Sequence, residues 1–387
     1  MKTSSARVAG LGTTIFAEMS ALAVRTGAVN LGQGFPDTDG PDDVIDAAVQ
    51  AMRSGANQYA PGIGVPALRK AIAVHQKRWY GLELDPDSEL AVSTGATEAI
   101  AAAILGLVDP GDEIVVLEPY YDSYVAVLEF AGGVRKPVTL RAPDFRLDLD
   151  TLRAAVGPRT TAMLLNSPHN PTGMVLNAQE REAVRDLAVE HDLVVVTDEV
   201  YEHLTFDGVR HVPLATLPGM RERTLTISSA GKSFSFTGWK VGWMSGPAPL
   251  VRAAVGAKQF LTYTSGSPFQ PAIAHALGHD AAYFEGFAAT LQARRDQLCA
   301  GLEEIGFTTY VPEGTYFTTT DIRPLGYDDG IAFCRALPEL AGVVAVPTQV
   351  FYDDEEAGRP LVRWAFCKQE AVIAEALRRL EALRPPR

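Results

Sequence analysis

From about residue 45 the chain keeps a rhythm. Short apolar runs at 90–93, 113–117, 162–166, 193–197 and 225–228 alternate with segments of helical spacing such as 97–108 and 178–191. An unbroken apolar run has no polar face to turn to water, so it reads as a strand covered on both sides by helices. That alternation predicts right-handed βαβ units around a mostly parallel sheet, an α/β fold. Past residue 285 the rhythm changes. A long helical pattern at 287–301 precedes strand-like 317–321, 343–346 and 361–366, and a closing helix at 370–383, which reads as a smaller α+β domain. Ahead of the rhythm, 14–25 reads as a short helix, and the Gly/Pro/Asp-rich 29–41 (VNLGQGFPDTDGP) reads as loop.

The polar residues of this pattern cluster just after the strands, at 94–95, 118–121, 167–173, 198–201 and 229–232. In open α/β sheets that carboxyl-end edge is where ligands bind. Charge limits what the ligand or partner is. With 34 Lys plus Arg against 47 Asp plus Glu, the 387-residue chain carries a formal charge of −13. Such a chain repels nucleic acid and anionic membrane. Three cysteines (Cys299, Cys334, Cys367) without CxxC spacing fit packed, reduced thiols and neither a disulfide frame nor a metal site. Residues 1–7 lack the apolar core of a signal peptide, and the longest apolar stretch, 99–108, is too short to cross a bilayer. The expected location is cytoplasmic.

Lysine is scarce, with eight in the chain, and two of them fall in 228–243, SSAGKSFSFTGWKVGW. A lone amine among small and hydroxyl residues at a strand end suits a Schiff-base lysine, because an aldehyde can approach and desolvation favours the neutral amine. Two solvated loop lysines would be the bland alternative; the aromatic flanks and the following VGW strand argue against it.

Ser229-x-x-Lys232 followed by Lys240 resembles the lysine motif of fold-type I pyridoxal-phosphate (PLP) aminotransferases. Seven further motifs agree in order and separation: NLGQGFP (30–36), NQY (57–59), STGATEAI (93–100), EPYYDSY (118–124), NSPHNPTG (166–173), TDEVYEHL (197–204) and VRWAFCK (362–368). The resemblance spans essentially the whole chain and is nearest the kynurenine/glutamine-type branch of class I/II. It extends to bacterial N-succinyldiaminopimelate aminotransferases.

The resemblance implies an enzyme that moves an amino group from an L-amino acid to a 2-oxo acid, with Lys232 holding PLP as an aldimine and serving as base and acid. Asp198 would protonate the pyridine nitrogen, without which the ring stores no electrons. Tyr201 and Asn170 would bond the phenolate oxygen, and Tyr121 would stack on the ring. Gly95, Ala96 and Thr97, opening the 97–108 helix, would hold the phosphate at a helix N-terminus together with Ser229 and Lys240. Arg363 would clamp the substrate carboxylate, with Gly34 offering backbone to the same group and Asn170 also among the substrate-binding residues. Tyr59 would reach the phosphate of a second subunit, making the enzyme a homodimer with shared sites. Read alone, several of these are ordinary: Asp198 a cap, Asn170-Pro171 a turn, Tyr121 core packing, Tyr59 a surface turn, Arg363 an exposed strand residue. A strand-end cap would suit the neighbouring Glu199 better than Asp198.

The implied organisation is a segment 1–44 joining the small domain, a PLP-binding domain 45–284 and a small domain 285–387. The wider superfamily commonly has Arg where Lys240 stands, which excludes bidentate phosphate binding there. Ser265-Gly266 and Thr97 stand where relatives usually place aromatics, implying a wider, more polar substrate pocket. Two competing readings share these motifs. A cysteine-conjugate β-lyase begins with the same Cα deprotonation, and a PLP-sensing regulator domain would need a DNA-binding module that about thirty N-terminal residues cannot supply.

Overall fold

The computed structural model describes residues 5–10 and 12–385; residues 1–4 of the leader segment considered above lie outside them. The strands, in chain order, begin with β1 (Val29–Asn30) and then β2 (Leu90–Thr94), β3 (Glu113–Glu118), β4 (Val134–Thr139), β5 (Thr160–Asn166), β6 (Val194–Asp198), β7 (Thr224–Ser229) and β8 (Val241–Ser245). β2 to β8 form one seven-stranded sheet in the order β2-β8-β7-β6-β5-β3-β4. β4, β3, β5, β6 and β7 run parallel, and β8 runs antiparallel to both its neighbours, β2 and β7. The mostly parallel α/β architecture expected from the rhythm is the one observed.

β4 escaped the sequence reading. It carries Arg135, Lys136 and Pro137 and lies at the sheet edge, where charge and proline blunt an unpaired ladder, so it shows no apolar run. The crossover helices are set by local chemistry. Ala178–Glu190 starts on a capping box, in which the Asn177 side chain accepts from the Glu180 N–H and Glu180 reaches back.

The second sheet is antiparallel, in the order β12-β13-β10-β9, from β9 (Thr308–Tyr310), β10 (Phe317–Asp321), β12 (Val346–Pro347) and β13 (Leu361–Ala365). β11 (Val343–Val344) leaves it to pair in parallel with β1. The loop expected over 29–41 is therefore wrong at its start. Leu31 is fully buried there, and the Val29 and Leu31 N–H groups donate at 2.9 Å to the Gly342 and Val344 carbonyls, as buried backbone requires. The helix expected at 287–301 runs from Ala281 to Ile305, its start fixed by Asp280 accepting from the Tyr283 N–H. Position 284/285 thus falls inside a continuous helix. All three cysteines are free and buried. Among the described residues no helix is long and apolar enough to cross a membrane.

Candidate active site

β5, β6 and β7 end side by side at Asn166, Asp198 and Ser229, with Asn166 opposite Asp198 and Ser229 opposite Gly242. Because β8 runs the other way, its starting residue faces the same edge, which brings Lys240 beside the ends of its parallel neighbours. A cavity of about 330 Å³ opens there. Of the residues expected at the site, Gly34, Gly95, Ala96, Thr97, Tyr121, Asn170, Asp198, Tyr201, Ser229, Lys232, Lys240 and Arg363 all line it. Tyr59 does not; its side chain is 85% exposed on the surface. Ser265 and Gly266 also lie off the lining, Ser265 pairing its hydroxyl with Thr94 at 2.9 Å.

The end of the cavity beside β8 is built from backbone. The helix begins at Gly95, two residues before the expected start, so Gly95, Ala96 and Thr97 are its first turn and their N–H groups have no helical acceptor. Gly95 has φ +71°, and a Cβ on Gly242 would lie 2.5 Å from the Gly95 carbonyl carbon. β8 and this helix thus touch through two glycines. Lys240, itself at φ +55°, lies above them; a Cβ on Gly95 would sit 3.0 Å from Lys240 Nζ. We expect Gly242→Ala to destabilise the fold by about 1–3 kcal/mol and to weaken cofactor retention, read by denaturant unfolding and by equilibrium dialysis.

At the other end Asp198 is buried. Its Oδ2 accepts from the Tyr124 hydroxyl at 2.6 Å and its Oδ1 from the Val200 N–H at 3.3 Å. Burial raises the carboxyl's pKa and these hydrogen bonds oppose the rise. The neighbouring Glu199 is no cap: its carboxylate is buried against His211 Nε2 at 2.7 Å. Tyr124 was not singled out from sequence; it lies in the first turn of the helix Asp122–Ala131 that Tyr121 caps, and the two rings meet edge to face with centroids 5.8 Å apart.

Lys232 lies on the short turn Ala230–Ser233 after β7. Burial pushes its ammonium down to about 8. Its Nζ donates to the Tyr316 hydroxyl at 2.8 Å, a second residue sequence reasoning missed. Tyr316 precedes β10, and only the Gly314-Thr315 turn ahead of it marked the position.

Arg363 sits mid-β13, buried, where the expected alternative was an exposed strand face. Its guanidinium donates to Asn170 Oδ1 at 3.1 Å and to the Gly32 carbonyl at 2.9 Å. The Phe317 ring lies 3.9 Å beneath it and Phe16 5.0 Å away. Burial lowers its pKa to about 10, which leaves it charged at neutral pH. Its Nε is buried without a partner. An unpaired buried donor on a charged fork is suited to a carboxylate.

Residues 26–380 match the family model for aminotransferase class I and II. The chain belongs to that family. This aminotransferase is 54% identical over 382 residues to a probable N-succinyldiaminopimelate aminotransferase of Mycobacterium tuberculosis, covering 96% of each chain. It is 39% identical over 373 residues to a methionine aminotransferase of Escherichia coli, again with 96% of each covered. Among solved structures, the three-dimensional structure of N-succinyldiaminopimelate aminotransferase from M. tuberculosis superposes with a TM-score of 0.96 at 54% identity, over 98% of this chain and all of that one. The aminotransferase uses pyridoxal phosphate. The donor set fits that group: a helix N-terminus and a lysine for the phosphate, a buried carboxylate, and a desolvated amine within one cavity.

Proposed function

We propose that Lys232, Asp198, Tyr201, Asn170 and Arg363 form the working centre of this aminotransferase. The observation that carries the reading is the convergence of a desolvated lysine, a buried carboxylate and a half-unpaired arginine on one cavity. Pyridoxal phosphate, when bound, supplies an aldehyde that carries the amino group and a ring that accepts electron density from the substrate Cα. Gly95, Ala96, Thr97, Ser229 and Lys240 would hold its phosphate, Tyr121 its ring face, and Asp198 its ring nitrogen. Tyr201 and Asn170 would hold its ring oxygen. Arg363 and the Gly34 backbone orient the substrate by its carboxylate, so that Cα faces Lys232. Lys232 Nζ then takes the Cα proton as general base and later returns it as acid. Arg363→Lys removes the fork but keeps the charge, and we expect kcat/KM to fall about 100-fold, mainly through KM, in steady-state kinetics.

For the amino donor we infer a long, polar amino acid of the acylated diaminopimelate kind. Thr97 on the lining, where the resemblance places a bulky aromatic, supports this, as does the 54% identical relative. A screen of amino donors against 2-oxoglutarate and pyruvate tests it; turnover of kynurenine with none of acylated diaminopimelate overturns it. The β-lyase reading is separated in the same assays by pyruvate and thiol release from cysteine conjugates.

We further infer a cytoplasmic homodimer in which Tyr59 completes the partner's phosphate site. The exposure of Tyr59, Phe260 (84%) and Tyr263 (49%) supports an interface there. Sedimentation velocity tests it, and a monomer with full activity contradicts it. The proposed division remains 1–44 with 285–387, and 45–284 as the cofactor domain.

A further inference from the structure

The lysine at the centre of the site has a partner whose hydrogen bonding runs one way. Lys232 Nζ donates to the Tyr316 hydroxyl at 2.8 Å, and that hydroxyl donates to the Gly34 carbonyl at 2.5 Å. A neutral phenol has one proton to give. With that proton committed to Gly34, Tyr316 offers only lone pairs to Nζ. Its position is well fixed. The side chain is buried, its ring stands edge-on to Tyr201 with centroids 5.2 Å apart, and the preceding Thr315 is tied by its N–H to the Leu204 carbonyl at 2.8 Å.

We propose that Tyr316 is a further catalytic residue, whose oxygen holds Lys232 Nζ as the ammonium and aims it while it carries the substrate Cα proton. The inference rests on the reading of Lys232 as the base. In that step the Cα–H bond breaks, its electron pair stays on the substrate side, and the Nζ lone pair takes the proton. The ammonium so formed is buried. Burial, Lys240 and Arg363 oppose its charge, while Asp198 favours it. An acceptor-only neighbour adds to the favourable side, because a hydrogen bond to the charged form favours that form. Tyr316 does not take the proton away, since burial and its neighbours push its own pKa well up. The same backbone segment serves the substrate clamp: Gly32 accepts from Arg363, and Gly34 accepts from Tyr316. Gly34 has no room for a side chain, since a Cβ there would lie 2.4 Å from the Phe317 ring. Seating a carboxylate on Arg363 and aiming the lysine therefore depend on one short loop.

The test is Tyr316→Phe in the holoenzyme, which removes one oxygen and keeps the ring. Amino donor converts the enzyme to its amine-loaded form, in which Lys232 is free. A small acylating reagent is then applied from neutral to alkaline pH, and modification is read by peptide mass spectrometry with the exposed Lys77 as reference. The Lys232 midpoint should fall by about one pH unit in the variant. The donor half-reaction should slow by about tenfold, with a larger isotope effect from α-deuterated donor. An unmoved midpoint overturns the proposal. If the phenylalanine variant does not fold or retain cofactor, a ring-fluorinated tyrosine at 316 keeps the hydroxyl but weakens it as acceptor; the midpoint must then fall, and a fixed one again overturns the idea. Turnover surviving in Lys232→Ala would remove the underlying reading instead. A dead Lys232→Ala with an unmoved midpoint removes only the role of Tyr316.

Discussion

Lys232→Ala is expected to lose transamination by at least about 10⁴-fold and to lose the visible absorbance that marks cofactor joined to the enzyme. The size of the effect follows from two duties meeting in one atom. In the proposed mechanism Nζ would both join the cofactor and move the Cα proton. No other amine among the lining residues is free to replace it: Lys240 sits over the Gly95 turn, at the end proposed for the phosphate. Circular dichroism should be unchanged, because the turn Ala230–Ser233 is held by its backbone and by packing of Phe234, not by the amine. Single-turnover absorbance spectroscopy with a saturating donor reads the outcome, and a variant with ordinary turnover would take Lys232 out of the mechanism.

Asp198→Ala should lower kcat by about 10²–10³-fold. The carboxylate is buried at the end of β6 with its two oxygens already accepting from Tyr124 and Val200. Those bonds fix its direction and oppose the rise in pKa that burial imposes. A charge so placed would pair with the cofactor's ring nitrogen at little cost of reorganisation. Tyr124→Phe should have a smaller effect of the same sign, since it removes orientation but leaves the charge. Steady-state kinetics on both variants, with cofactor occupancy measured by absorbance, checks the order. Full activity in Asp198→Ala would exclude the residue.

Much of this was legible in the residues because the site is built from short contiguous pieces at strand ends. Asp198, Lys232 and Arg363 each sit in a motif whose spacing survives without knowledge of the fold. Tyr316 and Tyr124 were not legible as partners. They act through contacts made over 84 and 74 residues of sequence, and a buried tyrosine reads the same whether its hydroxyl is idle or occupied. Local signals also misled. Val29–Asn30 lies in a segment full of turn residues and becomes a strand only because Val343–Val344 waits beside it. The Pro137-containing β4 was hidden for the opposite reason, since an edge strand need not be apolar.

The pairing of β1 with β11, and the place of Arg363 on β13, have a consequence for how the enzyme comes into being during synthesis. Every lining residue from Gly95 to Val241 lies in the middle of the chain, whereas Gly34 lies near its start and Arg363 near its end. A nascent chain that has emerged through β8 already holds the residues proposed for the cofactor. Its N-terminal loop must wait for β11 and β13 before it has anything to pair with. A truncated product ending before residue 361 would therefore keep the residues proposed for the cofactor and lack Arg363, the residue proposed for the substrate carboxylate.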